Sequence, residues 1–145
     1  MTVLFVCTGN TCRSPMAAGL FNAAARAAGL AARGVSRGLA VGGPDPATPE
    51  AVHAAAAYGA DISGHRAAAA DGVTAAAADH IYAMTRGHLN ALARLFPDCV
   101  GKMDTLAAFD IADPYGGSQD VYDEVCRQIA DAVDALAARL GRVDG

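Results

Sequence analysis

A short apolar segment runs directly into a polar loop and then into a helix start, and this succession constrains the fold more than any other feature of the sequence. Residues 3–6 are apolar and end abruptly at Cys7, which is typical of a buried strand. The loop of residues 7–13 contains a glycine and several polar side chains. Ser14 followed by Pro15 predicts a helix with serine at the N-cap and proline at the first helical position. The chain therefore opens with a predicted strand, loop and helix.

The remainder of the chain continues this alternation. Further strands are predicted around residues 34–41, 80–84 and 100–106, and helices over residues 51–58 and 87–95. The alanine-rich segment 67–78 gives no clear helix boundaries. A final helix is predicted from apolar residues at helical spacing: Val121, Val125, Ile129, Val133, Leu136 and Leu140. Alternating strands and helices indicate an α/β fold, with a parallel sheet covered on both faces and a binding site in the loop after the first strand.

Length and charge narrow the classes of function. The chain has 145 residues, so we expect a single domain over residues 1–145. Its apolar runs are broken well before the ~20 residues that cross a bilayer, and we expect no membrane partner. The first residues lack the features of a signal peptide, which predicts a cytoplasmic location. The net charge is -4 and the arginines are scattered, which argues against nucleic acid as a partner.

The cysteines are expected to serve thiol chemistry. The chain has 4 cysteines, and a cytosolic domain of this size does not need disulfides. Zinc is the rival interpretation, because Cys7 and Cys12 are close in sequence. Zinc sites usually add a second close pair of Cys or His, whereas Cys99 and Cys126 stand alone. We therefore expect no metal and no cofactor.

The first loop has the composition of an anion site. A loop bent into a cradle points its N–H groups inward, and the helix that follows adds its positive end. Arg13 closes the loop and can donate to two phosphate oxygens. The same field favours the thiolate of Cys7, to which Ser14 could donate a hydrogen bond, and Gly9 permits a close approach of the ligand.

A simpler interpretation makes Cys7 a small core residue and Arg13 a surface charge. Each residue taken alone favours that interpretation, but the whole succession of strand, cysteine, five residues, arginine and Ser-Pro helix start is far more specific. The glycine spacing of dinucleotide loops and the Gly-Lys pair of nucleotide-binding P-loops are both missing.

Two motifs carry a family resemblance. The segment Val6-Cys7-Thr8-Gly9-Asn10-Thr11-Cys12-Arg13-Ser14-Pro15 resembles the active-site signature of the low-molecular-weight protein tyrosine phosphatase family. The segment Asp113-Pro114-Tyr115-Gly116-Gly117 resembles the second motif of that family, and it too precedes the final helix. Length and element order also fit. The resemblance implies a flavodoxin-like fold with a four-stranded parallel sheet and helices on both faces, forming one phosphatase domain.

The same resemblance assigns roles. It implies that Cys7 is the nucleophile, that Arg13 binds the phosphoryl group and stabilises the transition state, and that Asp113 is the general acid. Phosphoryl transfer to sulfur leaves a group that must be protonated, which a nearby carboxylic acid can do, and the resulting carboxylate can then activate water. The expected phosphate-binding residues are Thr8, Gly9, Asn10, Thr11, Cys12 and Arg13.

Other residues are expected to support the loop or to shape its mouth. Asn10, Ser36 and His65 match positions that in the family brace the loop by hydrogen bonds, and Ser14 is grouped with them. A lone histidine such as His65 is equally compatible with a surface position. Tyr115 is expected to form one wall of the mouth, although partial burial in the core is its alternative.

Several positions indicate which phosphorylated residue is the substrate. Tyrosine phosphatases of the family commonly have an aliphatic residue at the position of Thr11 and a second aromatic at that of Gly116. Thr11, Gly116 and the run Ser118-Gln119-Asp120-Val121-Tyr122 resemble the bacterial protein arginine phosphatase branch instead, as does Met84-Thr85. A small hydroxyl-bearing side chain leaves room for a polar, planar guanidinium. We therefore expect phosphoarginine on proteins as the preferred substrate, with a phosphotyrosine-specific enzyme as the alternative.

Two other classes remain open. A thiol-dependent arsenate reductase could use the same loop but needs paired resolving cysteines. A non-catalytic phosphopeptide-binding module would not need Cys7 or Asp113. For a phosphatase, inorganic phosphate is the product and a competitive ligand. Cys12 is also a candidate to protect oxidised Cys7 through a reversible disulfide, with simple packing under the loop as the alternative.

Overall fold

Strands and helices alternate along the chain in the computed structural model, which describes residues 1–144. The strands are β1 (Thr2–Cys7), β2 (Arg33–Gly38), β3 (His80–Ala83) and β4 (Met103–Thr105). The helices are α1 (Arg13–Ala28), α2 (Pro49–Ala56), α3 (Gly72–Ala77), α4 (Arg86–Leu95) and α5 (Gln119–Asp144), with a 3-10 helix over Pro97–Lys102. Within residues 1–144, none of the helices has both the length and the apolar character that crossing a membrane requires.

The strands form one parallel sheet in the order β2-β1-β3-β4. Phe5 of β1 lies between Ser36 of β2 and Tyr82 of β3, and Tyr82 in turn pairs with Asp104 of β4. The strand that follows β1 in the chain, β2, lies on one side of it, and the next strand, β3, lies on its other side. The strand order therefore reverses at β1, and α/β sheets bind ligands in the crevice at the carboxyl end of such a strand. The predicted four-stranded, flavodoxin-like sheet is therefore confirmed.

Helices cover both faces of the sheet, as the sequence predicted. Alternate residues of β1 point to opposite sides. Val3 and Phe5 are buried in one hydrophobic cluster with residues of α1 and α5, whereas Leu4 and Val6 are buried in a second cluster with residues of α3 and α4. Burial on both sides explains why β1 reads as a continuous apolar run instead of an alternating one.

The N-cap predicted at Ser14 is wrong. Helix α1 begins at Arg13, its N-cap residue is Cys12, and no side chain caps it. The Ser14 hydroxyl is instead 2.9 Å from the Cys7 sulfur, in line with the hydrogen bond expected between these two residues. Pro15 becomes the third residue of the helix, where its missing N–H is still one of the four that lack an intrahelical acceptor.

Several predicted boundaries also move. Strand β2 ends at Gly38 and not near residue 41, and β4 is reduced to its last residues because the 3-10 helix occupies the preceding ones. Val121, predicted on the apolar face of the last helix, is 45% exposed. The alanine-rich segment resolves into an extended bridge from Ala69 to Gly38, followed by α3, whose start is fixed by a capping box at Asp71.

Candidate active site

The loop between β1 and α1 is held open by hydrogen bonds to its carbonyl groups. The carbonyls of Cys7 and Thr8 accept from the N–H groups of Leu39 and Ala40 at 3.0 and 2.9 Å, and that of Thr11 accepts from Thr48 N–H at 3.0 Å. In a trans peptide the C=O and the next N–H point in opposite directions. The N–H groups of residues 8, 9 and 12 therefore point away from these surrounding segments, which together with the start of α1 makes an anion cradle.

Asn10 connects the loop to the rest of the domain. Its φ of 60° lies in the left-handed region, which asparagine tolerates better than most residues. Its side-chain amide donates to the hydroxyl oxygens of Ser14 and Ser36 at 2.8 and 3.0 Å and accepts from Ala68 N–H at 3.0 Å. Its backbone carbonyl accepts from His65 Nε2 at 2.7 Å, and burial lowers the pKa of His65. Asn10, Ser14, Ser36 and His65 thus form one network around the loop.

The same network orients a donor toward the Cys7 sulfur. Cys7 is buried, and its Sγ lies 2.9 Å from Ser14 Oγ. Because Asn10 Nδ2 donates to this Oγ, the serine hydroxyl keeps its own hydrogen for another acceptor. Its other acceptor, the Arg37 carbonyl, is more distant at 3.4 Å. A hydrogen bond donated to sulfur stabilises the thiolate form.

Arg13 and Asp113 come together across the cavity from different parts of the chain. Arg13 is only 5% exposed, and its Nη1 donates to the Ile111 carbonyl at 2.9 Å. Its Nη2 lies 3.8 Å from Asp113 Oδ2, whose side chain is 55% exposed. Tyr115 N–H donates to the other carboxylate oxygen at 3.1 Å. One guanidinium edge is thus fixed to the backbone while the other faces the cavity and a solvent-accessible carboxylate.

These residues surround a cavity of about 290 Å³. Its lining joins residues 7–13 to Gly42, Asp45, Asp113 and Tyr115. Tyr115 is 72% exposed, so it stands at the rim and is not buried in the core. Gly116 has φ +81° in a turn closed by Gly117 N–H to the Pro114 carbonyl at 2.8 Å. An aromatic residue at Gly116 would strain that turn, so Tyr115 is the aromatic side chain that the turn presents at the mouth.

Two residues that contact the loop were not predicted from the sequence. His88 Nε2 lies 2.8 Å from Thr8 Oγ1, while its Nδ1 is buried without a partner among the described residues. Burial, aided by the charge of Arg13, lowers the pKa of His88. The Tyr122 hydroxyl lies 3.3 Å from Cys12 Sγ, and burial raises its pKa to about 12. Both side chains are separated from the loop by many residues in the chain.

The remaining cysteines lie apart from the cradle lining. Cys126 is fully buried in α5, and burial raises the pKa of its thiol to about 12. Cys99 lies in the 3-10 helix and packs on the opposite hydrophobic cluster. A buried, protonated thiol such as that of Cys126 is a poor attacking group. Cys99 and Cys126 pack in different hydrophobic clusters, so they do not form the pair of resolving cysteines that an arsenate reductase would need.

Comparisons with known proteins agree with this arrangement. The family model for low molecular weight phosphotyrosine protein phosphatase matches residues 2–144. A protein-arginine-phosphatase of Bacillus subtilis is 34% identical over 97% of this chain and 97% of its own. A low molecular weight protein tyrosine phosphatase from T. tengcongensis has a TM-score of 0.92 and 38% identity, covering 96% and 99% of the two chains. The YwlE arginine phosphatase, solved as a Cys-to-Ser mutant with a phosphorylated active-site serine, has a TM-score of 0.92 and 34% identity, covering 97% and 95%. The chain therefore belongs to the low molecular weight phosphotyrosine protein phosphatase family, whose members include tyrosine and arginine phosphatases.

Proposed function

We propose that this phosphatase removes phosphoryl groups from protein arginine side chains, with Cys7 as the nucleophile. The observation that best supports this reaction is the position of the buried Cys7 sulfur, 2.9 Å from Ser14 Oγ and in a cavity also lined by Arg13 and Asp113. The preference for arginine is supported by Thr11 in the cavity lining and by the relatives in the arginine phosphatase branch. The rival substrate is phosphotyrosine, which the tyrosine phosphatases of the family represent.

The first step transfers the phosphoryl group to sulfur. The thiolate of Cys7 attacks phosphorus, and the bond between phosphorus and the guanidine nitrogen breaks as the bond between sulfur and phosphorus forms. The carboxylic acid of Asp113 gives its proton to the departing nitrogen, which leaves as part of arginine. Arg13 and the loop N–H groups bind the phosphoryl oxygens throughout, so charge that builds up on them is met by fixed donors.

The second step releases phosphate. The Asp113 carboxylate takes a proton from water, and the water oxygen attacks phosphorus as the bond to sulfur breaks. Cys7 leaves as the thiolate, which the Ser14 hydroxyl stabilises by a hydrogen bond. Inorganic phosphate is then the product and, by filling the same cradle, a competitive inhibitor. The exposed position of Asp113 supports this role because the water has to approach from solvent.

The polarity of the mouth supports the choice of phosphoarginine. A phenol ring gains most from apolar contact, whereas a guanidinium is planar and carries N–H donors along its edges. Thr11 offers a hydroxyl at the cavity, and Tyr115 offers one aromatic face on which either group can stack. We also propose a reducing cytoplasm as the location, where cysteines such as Cys7 and Cys12 stay as thiols.

The test compares two phosphopeptides of one sequence, carrying phosphoarginine or phosphotyrosine at the same position. We expect a higher kcat/KM for phosphoarginine, with weaker turnover of phosphotyrosine and aryl phosphates. Cys7→Ser should lose turnover and still bind phosphate, measured by calorimetry, and Asp113→Asn should slow the burst of leaving-group release. Substantial turnover by Cys7→Ser would refute the nucleophile, and a strong preference for phosphotyrosine would refute the arginine assignment.

A further inference from the structure

A second carboxylate lines the active-site cavity in addition to Asp113. Asp45 lies in the connection between β2 and α2, and its side chain is exposed. Its backbone is held by two hydrogen bonds, from Ala67 N–H to the Asp45 carbonyl and from Asp45 N–H to the Gly43 carbonyl, both at 2.8 Å. Asp45 is therefore an exposed acidic residue with an anchored backbone in the lining of this cavity.

Among residues 1–144, the Asp45 carboxylate makes no ion pair, whereas Asp113 lies 3.8 Å from Arg13. A negative charge beside an anion cradle repels the phosphoryl group, so Asp45 weakens the binding of phosphate or of an aryl phosphate. Its presence becomes favourable only for a ligand that brings a cation next to its phosphoryl group.

Phosphoarginine is such a ligand. Its guanidinium is planar, is cationic at neutral pH and keeps N–H donors after phosphorylation of one nitrogen. A carboxylate accepts such donors in a charge-assisted, often bidentate geometry. Phosphotyrosine presents a neutral ring at the same distance from phosphorus and offers Asp45 nothing to bind.

We propose that Asp45 is a specificity-determining residue whose carboxylate accepts hydrogen bonds from the guanidinium of the phosphoarginine substrate. The inference rests on the proposed function but is separable from it, since a carboxylate can discriminate between two substrates whichever of them the enzyme prefers. Asp45 acts with Thr11, which contributes a hydroxyl, whereas Asp45 contributes charge.

The experiment measures kcat/KM for matched phosphoarginine and phosphotyrosine peptides without flanking charged residues, in the unmutated protein and in Asp45→Asn. Asparagine keeps the shape of the side chain and removes only its charge. The pair formed by the Asp45 carboxylate and the substrate guanidinium is exposed and partly screened by solvent. We therefore expect the ratio of kcat/KM for phosphoarginine to kcat/KM for phosphotyrosine to fall about three- to fivefold in Asp45→Asn. High salt should bring the ratios of the two proteins closer together, because it screens the charge of Asp45 that only the unmutated protein carries. Asp45→Lys should lower the ratio further.

Two controls separate recognition from structure. Asp98→Asn removes one charge from an exposed residue outside the cavity and should leave the ratio unchanged. Inhibition by inorganic phosphate should be as strong in Asp45→Asn as in the unmutated protein, or stronger, because a repulsive charge is gone. Weaker phosphate inhibition would mean that Asp45 supports the loop, and it would overturn the proposal.

The outcomes distinguish the two proposals. If the unmutated protein prefers phosphotyrosine and Asp45→Asn strengthens that preference, the arginine assignment fails while the role of Asp45 stands. If the protein prefers phosphoarginine and Asp45→Asn leaves the ratio unchanged, the role of Asp45 fails while the arginine assignment stands. A preference for phosphotyrosine with an unchanged ratio refutes both.

Discussion

Thr11 combines two properties that bear on substrate choice. It lines the cavity, and its backbone carbonyl is fixed by Thr48 N–H at 3.0 Å, so a change of side chain alters the mouth without moving the loop. Thr11→Ile replaces a hydroxyl with apolar bulk, which improves contact with a phenol ring and crowds a guanidinium. A mispaired polar group in such a site costs roughly 1–3 kcal/mol, and ~1.4 kcal/mol is tenfold in rate. We expect the preference to shift toward phosphotyrosine by about one to two orders of magnitude.

The measurement for Thr11 is the ratio of kcat/KM values for the two peptides. Thr11→Ser is the matched control, because it keeps the hydroxyl and removes the methyl group, and it should retain most of the preference for phosphoarginine. An unchanged ratio in Thr11→Ile, or an equal change in Thr11→Ser, would contradict a role for the hydroxyl.

Cys12 lies in the same loop as Cys7. Both thiols are buried, and the Cys12 sulfur has the Tyr122 hydroxyl at 3.3 Å. Peroxide converts the Cys7 thiolate to a sulfenic acid, which condenses with the Cys12 thiol to a disulfide and releases water. We expect mild peroxide to inactivate the enzyme reversibly, with activity restored by a thiol reductant and a Cys7–Cys12 link found by peptide mapping.

In Cys12→Ser the same treatment should inactivate irreversibly, because the sulfenic acid then oxidises further to sulfinic acid. Cys126→Ser serves as the comparison, since Cys126 is buried in α5 away from the loop lining and should leave recovery unaffected. Sulfinic acid at Cys7 without any link to Cys12 in the unmutated protein would show that Cys12 only packs under the loop.

The end of strand β2 packs directly against the loop of residues 7–13, and only glycine fits there. A Cβ on Gly38 would lie 2.6 Å from the Thr8 carbonyl oxygen and 3.0 Å from Asn10 Cβ. Backbone atoms cannot yield as a flexible side chain can, so Gly38→Ala must displace the loop. We expect a loss of about 1–3 kcal/mol in the free energy of unfolding, together with a lower kcat/KM for both phosphopeptides.

Gly72→Ala is the matched control for Gly38→Ala. A Cβ on Gly72 meets nothing within 4 Å, and the residue starts helix α3. The unfolding free energy should stay the same or rise by about 0.4–1 kcal/mol, with kcat/KM unchanged. Denaturant unfolding and steady-state kinetics on both variants check this; equal effects of the two substitutions would contradict the packing argument.

Local signals predicted the elements that depend on neighbours in sequence. The apolar run of β1 and the periodic face of α5 both needed only short-range information. Elsewhere tertiary contacts decided the outcome. Ser14 has the sequence of an N-cap, yet its hydroxyl is used by Cys7 and Asn10, and the short β4 depends on pairing with β3.

The candidate site likewise contains residues that the sequence predicts and residues that only the structure shows. The residues of the loop and Asp113 belong to two sequence motifs, so their grouping could be inferred from the amino-acid sequence alone. The contacts of His88 with Thr8 and of Tyr122 with Cys12 join residues 80 and 110 positions apart. Neither side chain stands in either motif, and nothing in a single sequence marks which histidine or tyrosine reaches the loop.

The molecule as a whole brings three connections to one edge of the sheet. The loop after β1, the connection after β2 and the segment that contains Asp113 all follow the carboxyl ends of strands. Met84 N–H donates to the Val6 carbonyl at 3.2 Å, and Ile111 N–H donates to the Met84 carbonyl at 3.0 Å. Ile111 then supplies the carbonyl that fixes Arg13. The loop of residues 7–13 and Asp113 are therefore positioned by the order of the strands. The stability of the fold and the geometry of the candidate site depend on the same contacts.

Two half-buried histidines make the free energy of unfolding depend on pH. Burial lowers the pKa of both His65 and His88, and each holds a loop residue, Asn10 or Thr8. In the unfolded chain a histidine titrates near pH ~6.5. Below that value the unfolded state takes up protons that the folded state does not, so the free energy of unfolding falls as pH decreases.

Carboxylates contribute to acid unfolding at a lower pH and can be separated from this effect. Hydrogen bonds lower the pKa of Asp61, Asp71 and Glu124, so their contributions are lost only as pH falls below ~4, where carboxyl groups of the unfolded chain titrate. The interval between about pH 5 and 6.5 thus reports mainly on histidine.

We expect the denaturant midpoint to decline measurably from pH 7 to pH 5, and the decline to be smaller in His88→Gln and His65→Gln. Glutamine keeps a donor near the position of Nε2 but does not titrate, so each variant removes one group that opposes folding in acid. His53→Gln is the control, because His53 is exposed on α2 and its replacement should leave the decline unchanged. Guanidinium unfolding at several pH values measures all four proteins. A decline that is the same in His65→Gln, His88→Gln and the unmutated protein would show that these two histidines do not limit stability in acid.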